Sequence, residues 1–134
     1  MNLQAELERH HGAAFGWALN CCGWDRMEAE DVLQASYLKI LDGGAVFGGR
    51  SSFRTWLFGV VRRTAAEHRR RRALRRFLPL GDMPAAGPDP ETALVRSEAT
   101  ERLIAALRAL PSRQHDMLHL VFYQDLTIQE AADV

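Results

Sequence analysis

A proline- and glycine-rich segment divides this 134-residue chain and restricts what it can fold into. Residues 79–90 hold four of the five prolines and two glycines. Because proline lacks a backbone N–H and fixes φ, this composition cannot sustain a helix and is typical of a semi-extended linker. The sequence therefore predicts two small units, residues 1–76 and 93–134, joined by a linker over residues 77–92.

Both units show the spacing of amphipathic helices, and the sequence has no alternating strand pattern and no internal repeat. Apolar residues recur at intervals of three and four over residues 29–41 and 53–68, which places them on one helix face. The first of these helices is capped at its N-terminus by Asp25 with Glu28, and the second by Ser51 or Ser52. Gly43 follows the first helix and ends it. Further helices are predicted over residues 3–22, 92–110 and 112–124. The predicted fold class is all-α.

A capping box at Thr127 and Glu130 opens one more helix, which reaches Val134 in barely two turns. Helices of that length are marginal in isolation. Either this unit is truncated or something else must cover its exposed side, and we expect residues 126–134 to be poorly ordered unless a partner covers them.

The net charge of zero conceals a strong segregation of sign along the chain. Residues 1–49 carry a net charge of −4, residues 50–76 carry ten arginines against Glu67 alone for +9, and residues 77–134 carry −5. One basic surface between acidic ones attracts polyanions. Arginine also suits forked contacts to phosphate, although a GC-rich genome would produce the same arginine bias.

Composition excludes several classes of protein. No apolar run approaches the roughly 20 residues of a membrane span, and the N-terminus lacks the pattern of a secretory signal. The adjacent Cys21 and Cys22 cannot form a disulfide framework, so a cytoplasmic location without membrane insertion is expected. We find no catalytic motif, cofactor motif or metal site. His115 and His119 at i and i+4 are only two ligands, a weak zinc site.

Two helix faces carry candidate binding residues. Opposite the apolar stripe of residues 28–41, Asp31, Gln34 and Leu38 form a contact strip with a charged rim, or else a plain surface with one stray leucine. The non-core faces of the 53–72 helix combine arginine with an exposed aromatic ring, a pattern that suits single-stranded DNA, although arginine runs are also common on solvated faces. Their members are Arg54, Phe58, Arg62, Arg63, Arg69 and Arg70. Trp56 is assigned to the core stripe.

Three segments in the same order and spacing resemble bacterial extracytoplasmic-function sigma factors of the sigma-70 family. Glu28-Ala29-Glu30-Asp31-Val32-Leu33-Gln34 is similar to their region 2.2, and Phe53-Arg54-Thr55-Trp56-Leu57 with the following arginines is similar to regions 2.3 and 2.4. Residues 106–114 and 126–132 are similar to the start of region 4. The resemblance implies a region 2 bundle of three or four helices and a partial region 4 helix-turn-helix, truncated within region 4 and without its recognition helix. Recognition of the upstream promoter element is therefore not expected.

The resemblance also implies partners and roles. Glu30, Asp31, Gln34 and Leu38 would bind the β′ clamp helices of core RNA polymerase. The arginine helix and the glycine-rich loop of residues 43–52, with Phe47, Arg50 and Ser51, would recognise and melt the minus-ten element of promoter DNA. An anti-sigma protein is a further partner in this family. Ala35, where the family is often acidic, and Arg63, where it commonly has Asn, depart from the pattern.

Two alternative functions stay open at this point. A helix-turn-helix repressor would bind duplex DNA directly, and an arginine-rich RNA-binding module would bind through counterion release alone. Association with core RNA polymerase would separate them from a sigma factor.

Overall fold

A computed structural model of the chain describes residues 1–77 and 97–134. The described residues form seven α-helices and no strand, which confirms the all-α prediction. The predicted linker, residues 77–92, lies outside the described residues except for Phe77, the last residue of a helix.

The first unit is a bundle of four helices. Their bounds are α1 Leu3–Arg9, α2 His11–Cys21, α3 Arg26–Leu41 and α4 Phe53–Phe77. The single helix predicted over residues 3–22 is interrupted at His10, which closes α1 and opens α2. Helices α2, α3 and α4 pack against one another in pairs, and α1 lies against α2 and α3.

The predicted caps lie at the start of α3 and of α4, and the predicted glycine stop lies at the end of α3. The Asp25 side chain accepts from the Glu28 backbone N–H at 3.2 Å, and the Ser52 hydroxyl accepts from the Thr55 N–H at 3.1 Å. After α3, Gly43 takes a left-handed φ of 84°, a conformation that glycine adopts without the steric cost a Cβ brings. These local signals separate α3 from α4 by an eleven-residue connection (residues 42–52).

The second unit contains α5 Glu98–Ala109, α6 Ser112–Leu118 and α7 Ile128–Asp133. Helix α6 runs directly into one π-helical turn, His119–Tyr123. No residue of α5 is buried, whereas Leu120, Leu126 and Ala131 belong to the same apolar core as the first bundle. Within the described residues the two units therefore share one core.

The short last helix is covered by the first unit. Helix α7 packs on α4, and its predicted capping box is present, since the Glu130 N–H donates to the Thr127 hydroxyl at 3.1 Å and the Thr127 N–H donates to the Glu130 carboxylate at 3.0 Å. Residues 126–134 are thus covered by α4 of the same chain, which corrects the expectation that a partner must cover them. No helix in the described ranges is both long and apolar enough to cross a membrane.

Candidate nucleic-acid interface and docking groove

The outer face of α3 forms one wall of an apolar groove. Three of the four predicted polymerase-binding residues, Glu30, Gln34 and Leu38, line it, and Leu38 is 59% exposed. The groove has a volume of about 570 Å³. Asp31 is exposed on α3 but outside the groove lining, so the predicted strip divides into a groove wall and an adjacent carboxylate.

The other wall of this groove comes from α2, which the sequence did not indicate. His11 and Phe15 line it, and the His11 ring lies 2.9 Å from the Tyr37 hydroxyl, joining the two helices. The apolar spacing over residues 29–41 places Leu41 on the core stripe of α3, but it is 56% exposed and lines the groove. Spacing along one helix cannot reveal which second helix completes a groove.

Four of the nine arginines of α4 form two rows on its surface. Arg63 and Arg70 are seven residues apart, about two helical turns, and follow the line that begins at Trp56. Arg62 and Arg69 make a second row about 100° around the helix. All four are exposed, and Arg54 at the start of α4 is partly exposed.

The assignment of Phe58 to the DNA-binding face is wrong. Its side chain is completely buried, and its ring stacks on Trp17 with centroids 5.9 Å apart. The Trp17 indole N–H also donates to the Phe58 carbonyl oxygen at 2.9 Å. Phe58 therefore holds α4 against α2 and is not available to a base.

An aromatic cluster stands where the loop of residues 42–52 meets α4. Phe47 lies 5.5 Å from Phe53 and 5.4 Å from Trp56, measured between ring centroids. Trp56, predicted as core, is half-buried. Arg50 is exposed and Ser51 is partly exposed with its hydroxyl donating to the Ser52 carbonyl, so both flank the cluster on the loop side.

Two ion pairs fix the C-terminal half of α4 against α3. Lys39 Nζ lies 2.6 Å from the Glu67 carboxylate, and Arg72 lies 2.6 Å from the Glu28 carboxylate. The hydrogen bond from Lys39 holds the pKa of Glu67 below its usual range. Arg72 is therefore held by its ion pair with Glu28 of α3, whereas Arg70 is exposed on another face of α4.

The thiols and imidazoles show no arrangement for chemistry. Burial raises the pKa of both cysteines, that of Cys22 to about 12, so neither is a ready thiolate. The His119 ring lies between Trp17 and Tyr123, with ring centroids 5.6 Å and 4.9 Å away. Among the described residues there is no group of three or more His, Cys, Asp or Glu that could hold a metal ion.

Comparison with known proteins assigns the bundle to a family. Residues 7–75, just over half of the chain, match the family model described as Sigma-70 region 2. The chain belongs to the sigma-70 family. Region 2 therefore spans the groove helix α3 and nearly all of the arginine helix α4. No solved structure matches the chain significantly.

Relatives within the sigma-70 family include proteins of the extracytoplasmic-function type. The chain is 31% identical over 115 residues to "ECF RNA polymerase sigma factor SigX" of Bacillus subtilis, covering 81% of this chain and 59% of that protein. It is 31% identical over 110 residues to "RNA polymerase sigma factor YlaC" of the same species, covering 79% and 64%. It is 32% identical over 108 residues to "ECF RNA polymerase sigma factor SigF" of Caulobacter vibrioides, covering 78% and 56%. The chain thus spans about three fifths of the length of these relatives.

Proposed function

We propose that this chain is a transcription initiation factor that binds core RNA polymerase and directs it to promoters. The observation that carries the proposal is the match of residues 7–75 to sigma-70 region 2, together with two separate exposed surfaces on that region. One is the groove and carboxylate face of α3, and the other is the arginine face of α4 with its aromatic cluster. The factor binds and positions, and it performs no chemistry of its own.

The α3 face has the character of a protein-docking site. The rim of this apolar groove carries Gln34, the Arg26–Glu30 ion pair (3.5 Å) and the neighbouring Asp31. Because Arg26 offsets Glu30, Asp31 is the carboxylate that favours a helical partner with an apolar ridge and a basic edge. In this proposal the partner is the β′ clamp helices of the polymerase. Leu38 supplies buried apolar area in the complex, and Asp31 supplies charge selectivity at the rim.

The α4 face has the character of a single-stranded DNA site. Arg63 and Arg70 lie beyond Trp56 in one row, so a strand following that row would meet phosphate contacts and an aromatic face in succession. The loop with Phe47 and Arg50 stands beside Trp56 and would receive an unstacked base of the minus-ten element. Preference for unpaired over paired DNA then drives promoter melting.

Association with the polymerase is tested by pull-down with core enzyme at moderate salt. The parent chain should form a complex, and Asp31→Arg should weaken it by about tenfold, since reversal places like charge against a basic partner. Glu98→Arg, an equal charge change on α5, is the matched control and should bind as the parent does. Absence of a complex with the parent chain would reject the proposal and favour an RNA-binding module.

An anti-sigma protein is a further partner that membership of the extracytoplasmic-function group suggests. Among the described residues no observation favours a repressor or an RNA-binding module.

A further inference from the structure

A basic cleft lies where the end of α2, the middle of α4 and the junction of α5 with α6 meet. Its volume is about 510 Å³, a size typical of small-molecule sites, which span roughly 300–1,000 Å³. Arg62 and Arg69 of α4 and Arg108 of α5 line it, and all three are exposed. Among the described residues of the lining, Asp116 alone is acidic. Three guanidinium groups against one carboxylate make the cleft attractive to a small polyanion.

Two hydrogen bonds organise the charged groups of the cleft. The Arg69 guanidinium donates to the Cys21 carbonyl oxygen at 2.8 Å, a contact that positions Arg69 and uses one of its five N–H donors. The Asp116 carboxylate accepts from the Asn20 side-chain amide at 2.9 Å and so links α6 to α2. Positioned guanidinium groups lose less conformational freedom when they bind phosphate, with which they form forked hydrogen bonds.

A tryptophan lines the same cleft in an uncommon backbone conformation. Helix α2 ends in a Schellman turn, in which Gly23 has a φ of 61° and the Trp24 N–H donates to the Leu19 carbonyl oxygen at 2.8 Å. Trp24 itself also has a left-handed φ, 67°, which is rare for a bulky side chain and which the Schellman turn does not require. The ring is nevertheless 51% exposed. Steric cost without full burial is a feature of residues that contact ligands.

We propose that this cleft binds a nucleoside diphosphate or triphosphate, with the base stacked on Trp24 and the phosphates held by Arg62, Arg69 and Arg108. An indole face stacks on any base, and guanidinium groups match phosphate oxygens. Several guanidinium groups around one cavity suit the clustered charge of a polyphosphate better than a DNA strand, which carries one charge per nucleotide. Trp24 and Arg108 belong to neither surface of the proposed function, so this inference goes beyond it.

Isothermal titration calorimetry of the full chain without divalent cations tests the base contact. The parent should bind GTP about tenfold more tightly than inorganic tripolyphosphate, because stacking adds to the phosphate contacts. Trp24→Gly should remove this advantage and leave tripolyphosphate binding unchanged. Glycine adopts a left-handed φ without steric cost, so the thermal midpoint of Trp24→Gly should not fall. Trp24→Phe should keep most of the affinity for GTP, and Phe122→Ala, at an exposed ring outside the cleft, is the control.

The phosphate contact is tested with Arg108→Gln. This variant should weaken GTP and tripolyphosphate alike by roughly tenfold, the loss expected for a charge-assisted hydrogen bond. Arg113→Gln makes the same charge change at an exposed arginine of α6 that does not line the cleft, and it should bind both ligands as the parent does.

Three results would overturn the site. They are absence of GTP binding at millimolar concentration, equal affinity of the parent for GTP and tripolyphosphate, and equal losses for Arg108→Gln and Arg113→Gln. A single-stranded DNA of about 12 nucleotides is titrated in parallel. Losses of DNA affinity as large as those for GTP in Trp24→Gly and Arg108→Gln would assign the cleft to DNA and also overturn the proposal. Because the assay contains no polymerase, failure here leaves the proposed function standing, and the reverse holds equally.

Discussion

Trp17 is the side chain at which the two units meet. It is fully buried, it donates to the Phe58 carbonyl of α4, and its ring contacts both Phe58 and the His119 ring. One residue thus joins the bundle to the segment that covers it. Substitutions at residues packed against Trp17 should therefore lower the stability of the fold rather than weaken DNA binding directly.

Truncation of Phe58 should therefore unfold the chain more easily without weakening DNA contacts. Phe58→Ala removes a fully buried ring and should lower the free energy of unfolding by about 3–5 kcal/mol, measured by urea denaturation. Phe122→Ala, at a side chain that is 78% exposed, is the control and should be nearly neutral. A variant of normal stability that had lost DNA affinity would contradict the buried position.

The burial of His119 predicts a pH dependence. Burial and nearby His115 lower the pKa of His119 from 6.5 to about 4. Between pH 6.5 and 4 the unfolded chain binds a proton that the folded chain excludes, so stability falls as the pH is lowered through this range. The raised pKa of Asp116 acts in the opposite direction, because the folded chain takes up that proton at a higher pH.

Comparison of the parent with His119→Gln isolates this effect, because Asp116 is present in both chains. The difference in unfolding free energy between them should change as the pH falls from 7 to 4.5, with the parent losing more. Parallel curves over that range would show that His119 titrates normally.

At the scale of single elements, α3 and α4 each present two faces with different tasks. The inner face of α3 carries Val32, Leu33 and Ile40 into the core, while its outer face meets α2 across the groove. Helix α4 packs on α2 and α3 and leaves two arginine rows outside. Periodicity predicted both helices and their core faces because a helix repeats at 3.6 residues whatever lies beside it.

The periodicity of the sequence could not show which other element packs against a given face of α3 or α4. Phe58 lies four residues from both Arg54 and Arg62, so the sequence places it on an arginine face. The second unit and α2 bury that part of the face. The residues in contact lie up to 111 positions apart in the sequence, as Gln124 and Ala13 do. Leu41, the last residue of α3, is likewise exposed at the groove although its spacing fits the core stripe.

A charge placed in the groove should disrupt docking of the polymerase. Leu38→Asp should weaken core-enzyme binding by about tenfold or more, because it removes apolar burial and leaves a desolvated carboxylate. Met27→Asp is the matched control, since Met27 is 69% exposed on the same helix but does not line the groove. Equal losses for both variants would place the contact elsewhere on α3.

The exposed row of Arg63 and Arg70 should contribute to the salt dependence of single-stranded DNA binding. Arg63→Gln with Arg70→Gln should reduce the slope of log affinity for single-stranded DNA against log salt by about 1.4, from about 0.7 per phosphate contact. Arg102→Gln with Arg113→Gln makes the same change in net charge on the second unit and should leave the slope near the parent value. A slope that is insensitive to the first pair would remove this row from the interface.

For the whole molecule, one shared core implies one cooperative transition. Leu120, Leu126 and Ala131 are buried together with the first bundle, so the described parts of both units should unfold together. Helicity from circular dichroism and tryptophan fluorescence should give coincident thermal curves in the parent chain. Two resolved transitions would indicate that the second unit is not docked in solution.

The division into domains 1–76 and 93–134 stays a prediction at this scale. Residues 78–96 lie outside the described structure, and the described residues on either side share a core. Composition could predict an interruption of helix at the prolines, but not whether the helices beyond it return to the first bundle. That return depends on the surface of α2 and α4, which the composition of the linker cannot reveal.

The most direct test of the account uses the complex of the parent chain with core RNA polymerase. Its affinity is measured for one DNA duplex and for the same DNA with an internal mismatched bubble at the minus-ten position. We expect a stable complex that binds the bubble more tightly than the duplex, with the preference reduced by Arg63→Gln and Arg70→Gln. No association with core enzyme, or equal affinity for bubble and duplex, would contradict it.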